Sequence, residues 1–320
     1  MDASDIYVVD DNSADNTSQL AKAILPRRNV IRVARSGKGL AISKAARRFK
    51  LTERYDWIHL ADADGGFETT YFATLRAELD PAYAAVTGYI KSLRGGIVSD
   101  FRAFEYTFGM EIVRRFQDVA GTIPIIPGPT SCFKASVFDK LEFGNGALAE
   151  DFDVTLQIHR GNLGAIKFVE DAVVYTQDPA TIKDFKRQIL RWNKGVMQGM
   201  MRHKIGTKLS KIDAYLMYQL GLSAAMVLNY FVLLPIIVMS KGLLLTLPTI
   251  FLFDVAILWL IVFYIAARAK RWDILSAFPH IYLMRWISLG VFIRSFVEVI
   301  ILRRGISGNG TWKPVARQAT

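Results

Sequence analysis

Carboxylates gather in three short runs along this chain. Val8-Val9-Asp10-Asp11-Asn12-Ser13 sets Asp10 and Asp11 at the tip of an apolar strand. Ile58-His59-Leu60-Ala61-Asp62-Ala63-Asp64 sets Asp62 and Asp64 one residue apart at the tip of another. Two Asp so spaced at a strand end can present oxygens to a single hard divalent cation, which keeps open positions for diphosphate oxygens. Polar turns after strands also collect Asp and Asn, but the recurrence of the arrangement at two apolar strands favours chemistry. The third run, Ala149-Glu150-Asp151-Phe152-Asp153, precedes a helix. The helix dipole alone would favour acidic residues there; a catalytic role requires one of these carboxylates to meet a reacting hydroxyl.

Two segments offer complementary groups. Gly37-Lys38-Gly39 opens a helical stretch, where backbone amides and a helix N-terminus suit an anion, although the full phosphate-loop pattern is missing. Gln188-Ile189-Leu190-Arg191-Trp192 brings Gln, Arg and Trp together on one helix. Arg191 suits phosphate oxygens and Trp192 suits stacking on a sugar ring. An amphipathic interfacial helix with an anchoring Trp has the same pattern.

Positioning these groups requires alternating strands and helices. Strands are predicted at residues 6–9, 30–33, 57–60, 85–90 and 165–169, with helical patterns at 17–24, 39–48 and 70–79 between them. That alternation predicts an α/β fold with a mostly parallel sheet and helices on both faces. Such sheets bind ligands beyond the carboxyl ends of their strands, where the acidic pairs stand. Residues 121–129, rich in Pro and Gly, read as a loop. From 180 to 202 an amphipathic helix is predicted, with Phe185, Ile189, Trp192 and Val196 spaced by three and four.

The remainder of the chain is apolar. Residues 214–239 carry no charge and 242–267 carry only Asp254. Each is long enough to cross a hydrocarbon core of about 30 Å, and core helices of soluble proteins rarely run apolar on every face for so long. Residues 181–213 hold nine Lys and Arg against two Asp, within a formal net charge of +11 for the chain. A cytoplasmic membrane surface explains that block better than nucleic acid does. Cys132 is the only cysteine, so no internal disulfide forms. The start on a core strand with no lead-in suggests that upstream sequence is missing.

In order and spacing, Asp10-Asp11, Asp62-x-Asp64, Glu150-Asp151 and Gln188-x-x-Arg191-Trp192 resemble the processive membrane branch of the family 2 glycosyltransferases. That branch includes the cellulose, chitin, hyaluronan and poly-N-acetylglucosamine synthases. The resemblance covers roughly residues 6–267 and implies a GT-A (Rossmann-like) fold followed by interfacial and transmembrane helices. It divides the chain into a catalytic domain at 1–180, a basic interfacial region at 181–213, membrane helices at 214–302 and a basic tail at 303–320.

The resemblance also implies roles. Asp10 or Asp11 contacts the nucleotide base or ribose, Lys38 the diphosphate side, and Asp62 the nucleotide. Asp64 binds Mg²⁺ or Mn²⁺. Glu150 and Asp151 are the catalytic pair, with Asp151 as the general base. Gln188 and Arg191 face the diphosphate, and Trp192 lies at the acceptor end. The implied reaction is inverting transfer of a sugar, by family frequency N-acetylglucosamine, from a UDP-sugar to a glycan or lipid-linked acceptor. The implied place is the cell membrane, with the catalytic domain in the cytoplasm and no nucleic-acid partner. A single transfer onto a lipid phosphate, or an inactive membrane protein retaining the fold, remain as alternatives. Family members begin with an earlier strand and helix absent here; Ala149 replaces a common Thr and Lys134 a common Arg.

Charge placement predicts the topology. Residues 214–239 cross outward and 242–267 return, with Ser240-Lys241 outside and Arg268, Lys270 and Arg271 in the cytoplasm. Residues 274–302 carry Arg285, Arg294 and Glu298, so this stretch is expected to lie at the interface or against protein, leaving the tail cytoplasmic. A cysteine at Thr320 in a Cys132→Ser background should resist membrane-impermeant thiol reagents in intact cells. Labelling from outside would overturn this topology.

Overall fold

The computed structural model describes residues 2–92, 95–241 and 243–304. Its strands are β1 (Val8–Asp10), β2 (Val30–Arg32), β3 (Trp57–Leu60), β4 (Gly65–Phe67), β5 (Tyr83–Ser92), β6 (Ser131–Lys134) and β7 (Ala165–Thr176). Between and beside them run α1 (Thr17–Ile24), α2 (Lys38–Phe49), α3 (Leu51–Arg54), α4 (Tyr71–Ala77), α5 (Ile97–Phe108), α6 (Arg115–Ala120), α7 (Ala135–Phe138) and α8 (Glu150–Gly161). After β7 come α9 (Ile182–Arg202), α10 (Lys211–Leu228), α11 (Leu234–Lys241), α12 (Leu243–Arg268) and α13 (Phe278–Phe296).

The α/β architecture is as expected, but the larger sheet is mixed rather than mostly parallel. β1 and β2 form a parallel ladder of their own, and the others are ordered β3-β6-β5-β7-β4. β5 runs parallel to β7, while β6 runs antiparallel to both β3 and β5, so β3, β5 and β7 share one direction. β4 is antiparallel to β7 at the edge. The reversed strands are the two that hydropathy does not signal. β4 is Gly-Gly-Phe, and β6 is four residues emerging from the Pro- and Gly-rich loop. β5, by contrast, is buried over nearly its whole length, the near-continuous apolar run expected of a strand covered on both faces. Its Ala85 packs with Phe133 and Phe168 in the main core.

Local sequence sets the helix ends. α8 begins with Glu150, Asp151 and Asp153 in its first turn and stops at Asn162, whose left-handed backbone forms the C-cap. Thr181 caps α9 by accepting from the Asp184 amide at 3.1 Å. α9 ends at Arg202, so the predicted amphipathic helix is observed at nearly its expected length.

Two helices are long and apolar enough to span a membrane among the described residues: Lys211–Ser240, with mean hydropathy 2.2, and Leu247–Arg268, with 2.5. Only 6% of the apolar window of the first and 22% of the second is buried within the protein. A core helix of a soluble protein would be covered, so these faces need another apolar surround. The start of the second predicted span, residue 242, lies outside the described residues.

The stretch 274–302 packs against protein. Ile281, Met284 and Val291 join Val98 and Phe101 of α5, Phe185 and Ile189 of α9, and Leu258 and Val262 of α12 in one apolar cluster. Its charges are paired. Arg285 binds Asp254 through both terminal nitrogens, at 3.1 and 2.5 Å. Glu298 accepts from Arg294 at 2.7 Å and pairs with Lys194 of α9. Of the basic tail, Arg303 and Arg304 are described, whereas Lys313, Arg317 and Thr320 lie outside the described residues.

Candidate active site

The segment after β3, the start of α2 and the start of α8 meet around one ammonium. Lys38 Nζ lies 2.5 Å from Asp62 Oδ1 and 3.6 Å from Glu150 Oε1. Burial works against the Lys38 charge, but Asp62, Glu150 and Asp151 outweigh it and hold its pKa above the ordinary lysine value. Gly128 closes this corner. A Cβ there would come 2.5 Å from Lys38 Nζ and 3.2 Å from Asp62 Oδ2, so a larger residue would push the lysine tip from its present place.

The two carboxylates of the first run serve the loops. Asp10 is buried and accepts from the Ser13 amide and the Ser18 hydroxyl, both at 2.7 Å. Burial opposes its charge, but those bonds and Arg32 hold its pKa below the usual carboxylate range. Asp11 accepts from the amides of Ser36 and Gly37 at 2.7 and 2.8 Å and so shapes the turn into α2. Sequence reasoning places both at a nucleotide; in the structure the loops already use much of their accepting capacity.

Asp64 stands after β3 beside Asp62, in the turn closed by the Gly65 amide to the Asp62 carbonyl. No group of three or more His, Cys, Asp or Glu side chains suited to a metal ion is present among the described residues. Two hard carboxylates fit the way Mg²⁺ usually binds: through one or two side chains plus substrate phosphates, without an all-protein cage.

Asp151 is the most strongly perturbed acid of the cleft. Burial and the neighbouring Glu150 push its pKa up to about 6, against the pull of Lys38, the Phe152 amide and Arg191. A carboxylate so raised is suited to taking a proton near neutral pH. Asp153 points elsewhere. It accepts from Asn145 at 2.7 Å and from Arg202 and His203 at 3.1 and 3.0 Å, so it ties the loop before α8 to the end of α9.

Residues 57–278, more than half of the chain, match the family described as Glycosyl transferase family group 2. The chain belongs to that family. Among similar proteins are poly-β-1,6-N-acetyl-D-glucosamine synthases. The one from Staphylococcus aureus (strain COL) is 26% identical over 215 residues, 65% of this chain and 51% of that protein. The one from Staphylococcus epidermidis is 23% identical over 221 residues, 67% and 52% respectively. The chain therefore spans about half the length of these relatives. Among solved structures, the mannosyltransferase PcManGT from Pyrobaculum calidifontis, in complex with GDP-Man and Mn²⁺, superposes with a TM-score of 0.55 at 16% identity. The match covers 87% of this chain and 76% of that one. The fold is thus the GT-A arrangement that the motifs implied.

In this family 2 glycosyltransferase the Gln-x-x-Arg-Trp segment divides between two faces of α9. Arg191 turns toward α8, donating to the Leu148 carbonyl at 2.9 Å and lowering the pKa of Asp151. Gln188 and Trp192, four residues apart on another face, meet Arg102 of α5 instead. Arg102 is fully buried and donates to Gln188 Oε1 at 2.7 Å. Its guanidinium lies 4.7 Å from the Trp192 ring centroid and 4.8 Å from that of Phe185. The structure thus brings Lys38, Asp62, Glu150, Asp151 and Arg191 together, and places Gln188 and Trp192 in a neighbouring cluster. Arg102 had no motif to announce it.

Two glycines bring α9 against α8. A Cβ on Gly195 would sit 2.5 Å from Ala149 Cβ and 2.7 Å from the Ala149 nitrogen; one on Gly199 would sit 2.6 Å from the Phe152 ring. Between them Gln198 accepts from the Leu148 amide at 2.9 Å. Their spacing of four on a helical pattern was the available signal, but it names no partner. Gly→Ala normally stabilises a helix interior by about 1 kcal/mol. At Gly195 we expect the sign to reverse, with about 1–3 kcal/mol lost to overpacking. Gly221→Ala in α10, where nothing lies within 4 Å, is the control. Thermal unfolding in detergent decides, and an unchanged or raised Tm for Gly195→Ala would contradict this packing.

Proposed function

We propose that this chain is the catalytic part of an inverting, membrane-embedded polysaccharide synthase that uses a UDP-sugar, most simply UDP-N-acetylglucosamine. One observation carries the reading: the Lys38 ammonium joins the Asp62-x-Asp64 strand end to the Glu150-Asp151 helix start, beside an acid whose pKa is raised to about 6. The names of the staphylococcal relatives support the donor sugar and the polymeric product.

In this reading the UDP diphosphate lies between Lys38 and Arg191, whose charges the cleft carboxylates hold in place. Asp64 would hold a divalent cation, Mg²⁺ or Mn²⁺, which when bound supplies charge neutralisation at the diphosphate, while Asp62, paired with Lys38, lies on the nucleotide side. Asp151 takes the proton from the acceptor hydroxyl. The freed oxygen lone pair forms the new bond at the anomeric carbon, and the old bond to UDP breaks, its electron pair leaving with the nucleotide. Attack opposite UDP inverts that carbon, giving a β-linkage from an α-linked donor.

Trp192 faces the acceptor. The apolar helices Lys211–Ser240 and Leu247–Arg268 cross the bilayer, and the basic residues of α9 lie on its cytoplasmic surface, so the catalytic residues meet cytoplasmic UDP-sugar. The acceptor is a growing or lipid-linked glycan, and no nucleic acid takes part.

Asp64→Asn should abolish metal-dependent donor turnover; wild-type rates with no response to chelator would refute the metal assignment. Asp151→Asn should cost 10²-fold or more in transfer, the order expected for a general base, while UDP binding survives. Normal transfer, or loss of UDP binding instead, would reassign Asp151.

The pH profile provides a separate check. A base with a raised pKa is protonated below it, so kcat/KM should fall as pH drops through about 6. The limb belongs to the Glu150–Asp151 pair together. Glu150→Gln removes one charge that raises the Asp151 pKa, so the limb should move to lower pH. An unmoved limb would show that another group titrates.

A further inference from the structure

Asp151, Thr155 and His159 follow one another at helical spacing along a single face of α8. Thr155 Oγ1 donates to the Asp151 carbonyl at 2.6 Å and accepts from the Ile126 amide at 2.9 Å. The His159 imidazole bonds the Ile123 carbonyl at 2.8 Å. The loop 121–127 is thereby strapped along the helix that carries Asp151, with Ile123 and Ile126 fully buried. Beyond it Gly128 stands against Lys38 and Asp62. A third tie comes from outside α8: Arg114 Nη1 donates to the Ile125 carbonyl at 2.7 Å.

Arg114 closes the π-helical turn Gly109–Arg114, a form of helix that recurs at functional sites. The next residue, Arg115, pairs with Glu111 and Glu170. Arg114 is buried and makes no ion pair among the described residues. A buried charge without a counter-ion is costly. Burial lowers the Arg114 pKa to about 10, while Tyr215, Asp118 and Asp151 pull it back, so the guanidinium is charged at neutral pH. Two of those three have other donors. The Tyr215 hydroxyl accepts from Gln117 and Gln219 at 2.6 and 2.8 Å. Asp118 accepts from Lys167 Nζ and the Phe168 amide, both at 2.8 Å. We propose that Arg114 is a positioning residue for Asp151: it ties down the strap that holds the first turn of α8, and its charge favours the ionised carboxylate. The inference rests on the reading of Asp151 as the base.

Four charged groups act on Asp151: Glu150 from its own helix, Lys38 from α2, Arg191 from α9, and Arg114 from the turn before α6. Lys38 is already shared with Asp62 and Glu150. In the reading above, Lys38 and Arg191 also face the UDP diphosphate, so donor binding takes up part of their charge. Arg114 is buried and tied to the Ile125 carbonyl, so its charge stays with Asp151 when the donor binds. That is the state in which the acceptor hydroxyl must give up its proton.

The test uses the full chain in detergent, with UDP-N-acetylglucosamine and Mn²⁺ for transfer and UDP with Mn²⁺ for calorimetry. Arg114→Gln keeps a donor for the Ile125 carbonyl and removes the charge. Its acid limb of kcat/KM should move up by about half a unit, less than the roughly 1–3 units of an opposite charge in direct contact. Rates on the alkaline plateau and UDP affinity should hold. Arg114→Lys keeps the charge, and its limb should stay at the wild-type place. Thr155→Val frees the strap from α8, so its rate should fall about three-fold at every pH, the scale of one hydrogen bond, with the limb unmoved. An unmoved limb in Arg114→Gln overturns the inference and leaves the base reading standing. Equal movement in Arg114→Lys assigns the effect to packing and overturns the role of the charge. Loss of UDP affinity in Arg114→Gln places Arg114 at the donor and overturns the inference as well. A wild type with no limb near pH 6, or normal transfer by Asp151→Asn, overturns the base reading and this inference with it. Should Arg114→Gln fail to fold, Thr155→Val still decides, since wild-type rates there overturn the strap.

Discussion

Acidic side chains from β3 and α8 can share one cleft only because a cation stands between them. Lys38 is that cation, 2.5 Å from Asp62 and 3.6 Å from Glu150. Without it, carboxylates from separate elements would face each other across a partly desolvated space, where like charges repel most strongly. The neighbouring turns and helix starts are built around this contact. Asp11 shapes the turn that presents Lys38. Gly39 lets the start of α2 approach the backbone of Gly144, where an added Cβ would lie 2.5 Å from the Gly144 nitrogen. Gly128 leaves room for the ion pair itself.

A second constraint is steric. The helix start bearing Glu150 and Asp151 has no side-chain N-cap. The segment before it is held from α9 by Arg191 and Gln198 at the Leu148 carbonyl and amide. Those bonds need a close helix approach, which Gly195 and Gly199 allow. The helix that carries the Gln-x-x-Arg-Trp segment therefore also fixes where the raised-pKa acid stands. Changes along α9 and changes at Asp151 are mechanically linked through one rigid element.

The apolar helices follow the same logic of compensation. Arg285 and Glu298 look out of place in an apolar stretch until their partners are located. Asp254 comes from α12, and Lys194 from α9. These pairs join α13 to α12 and to α9, so 274–302 is held by protein on the faces that carry charge. α5 belongs to this assembly as well, since Val98 and Phe101 pack with α9, α12 and α13.

The sequence by itself determined the local elements and the chemical inventory. The helix Thr17–Ile24 and the strand Trp57–Leu60 occur as predicted, because periodicity and β-branched content act over a few residues. The acidic runs, Lys38, Arg191 and Trp192 were legible from residue type, and the apolar helices from composition. β4 and β6 were not, since three glycine-rich residues and a four-residue strand carry almost no periodic signal and exist through their neighbours' hydrogen bonds. Tertiary structure alone decided which charge meets which. It committed Asp10 and Asp11 to loop amides and hydroxyls, turned Gln188 to the buried Arg102, and paired Asp254 with Arg285 across 31 residues. Ion pairs and glycine contacts depend on distances between elements, and one-dimensional spacing carries no such distances.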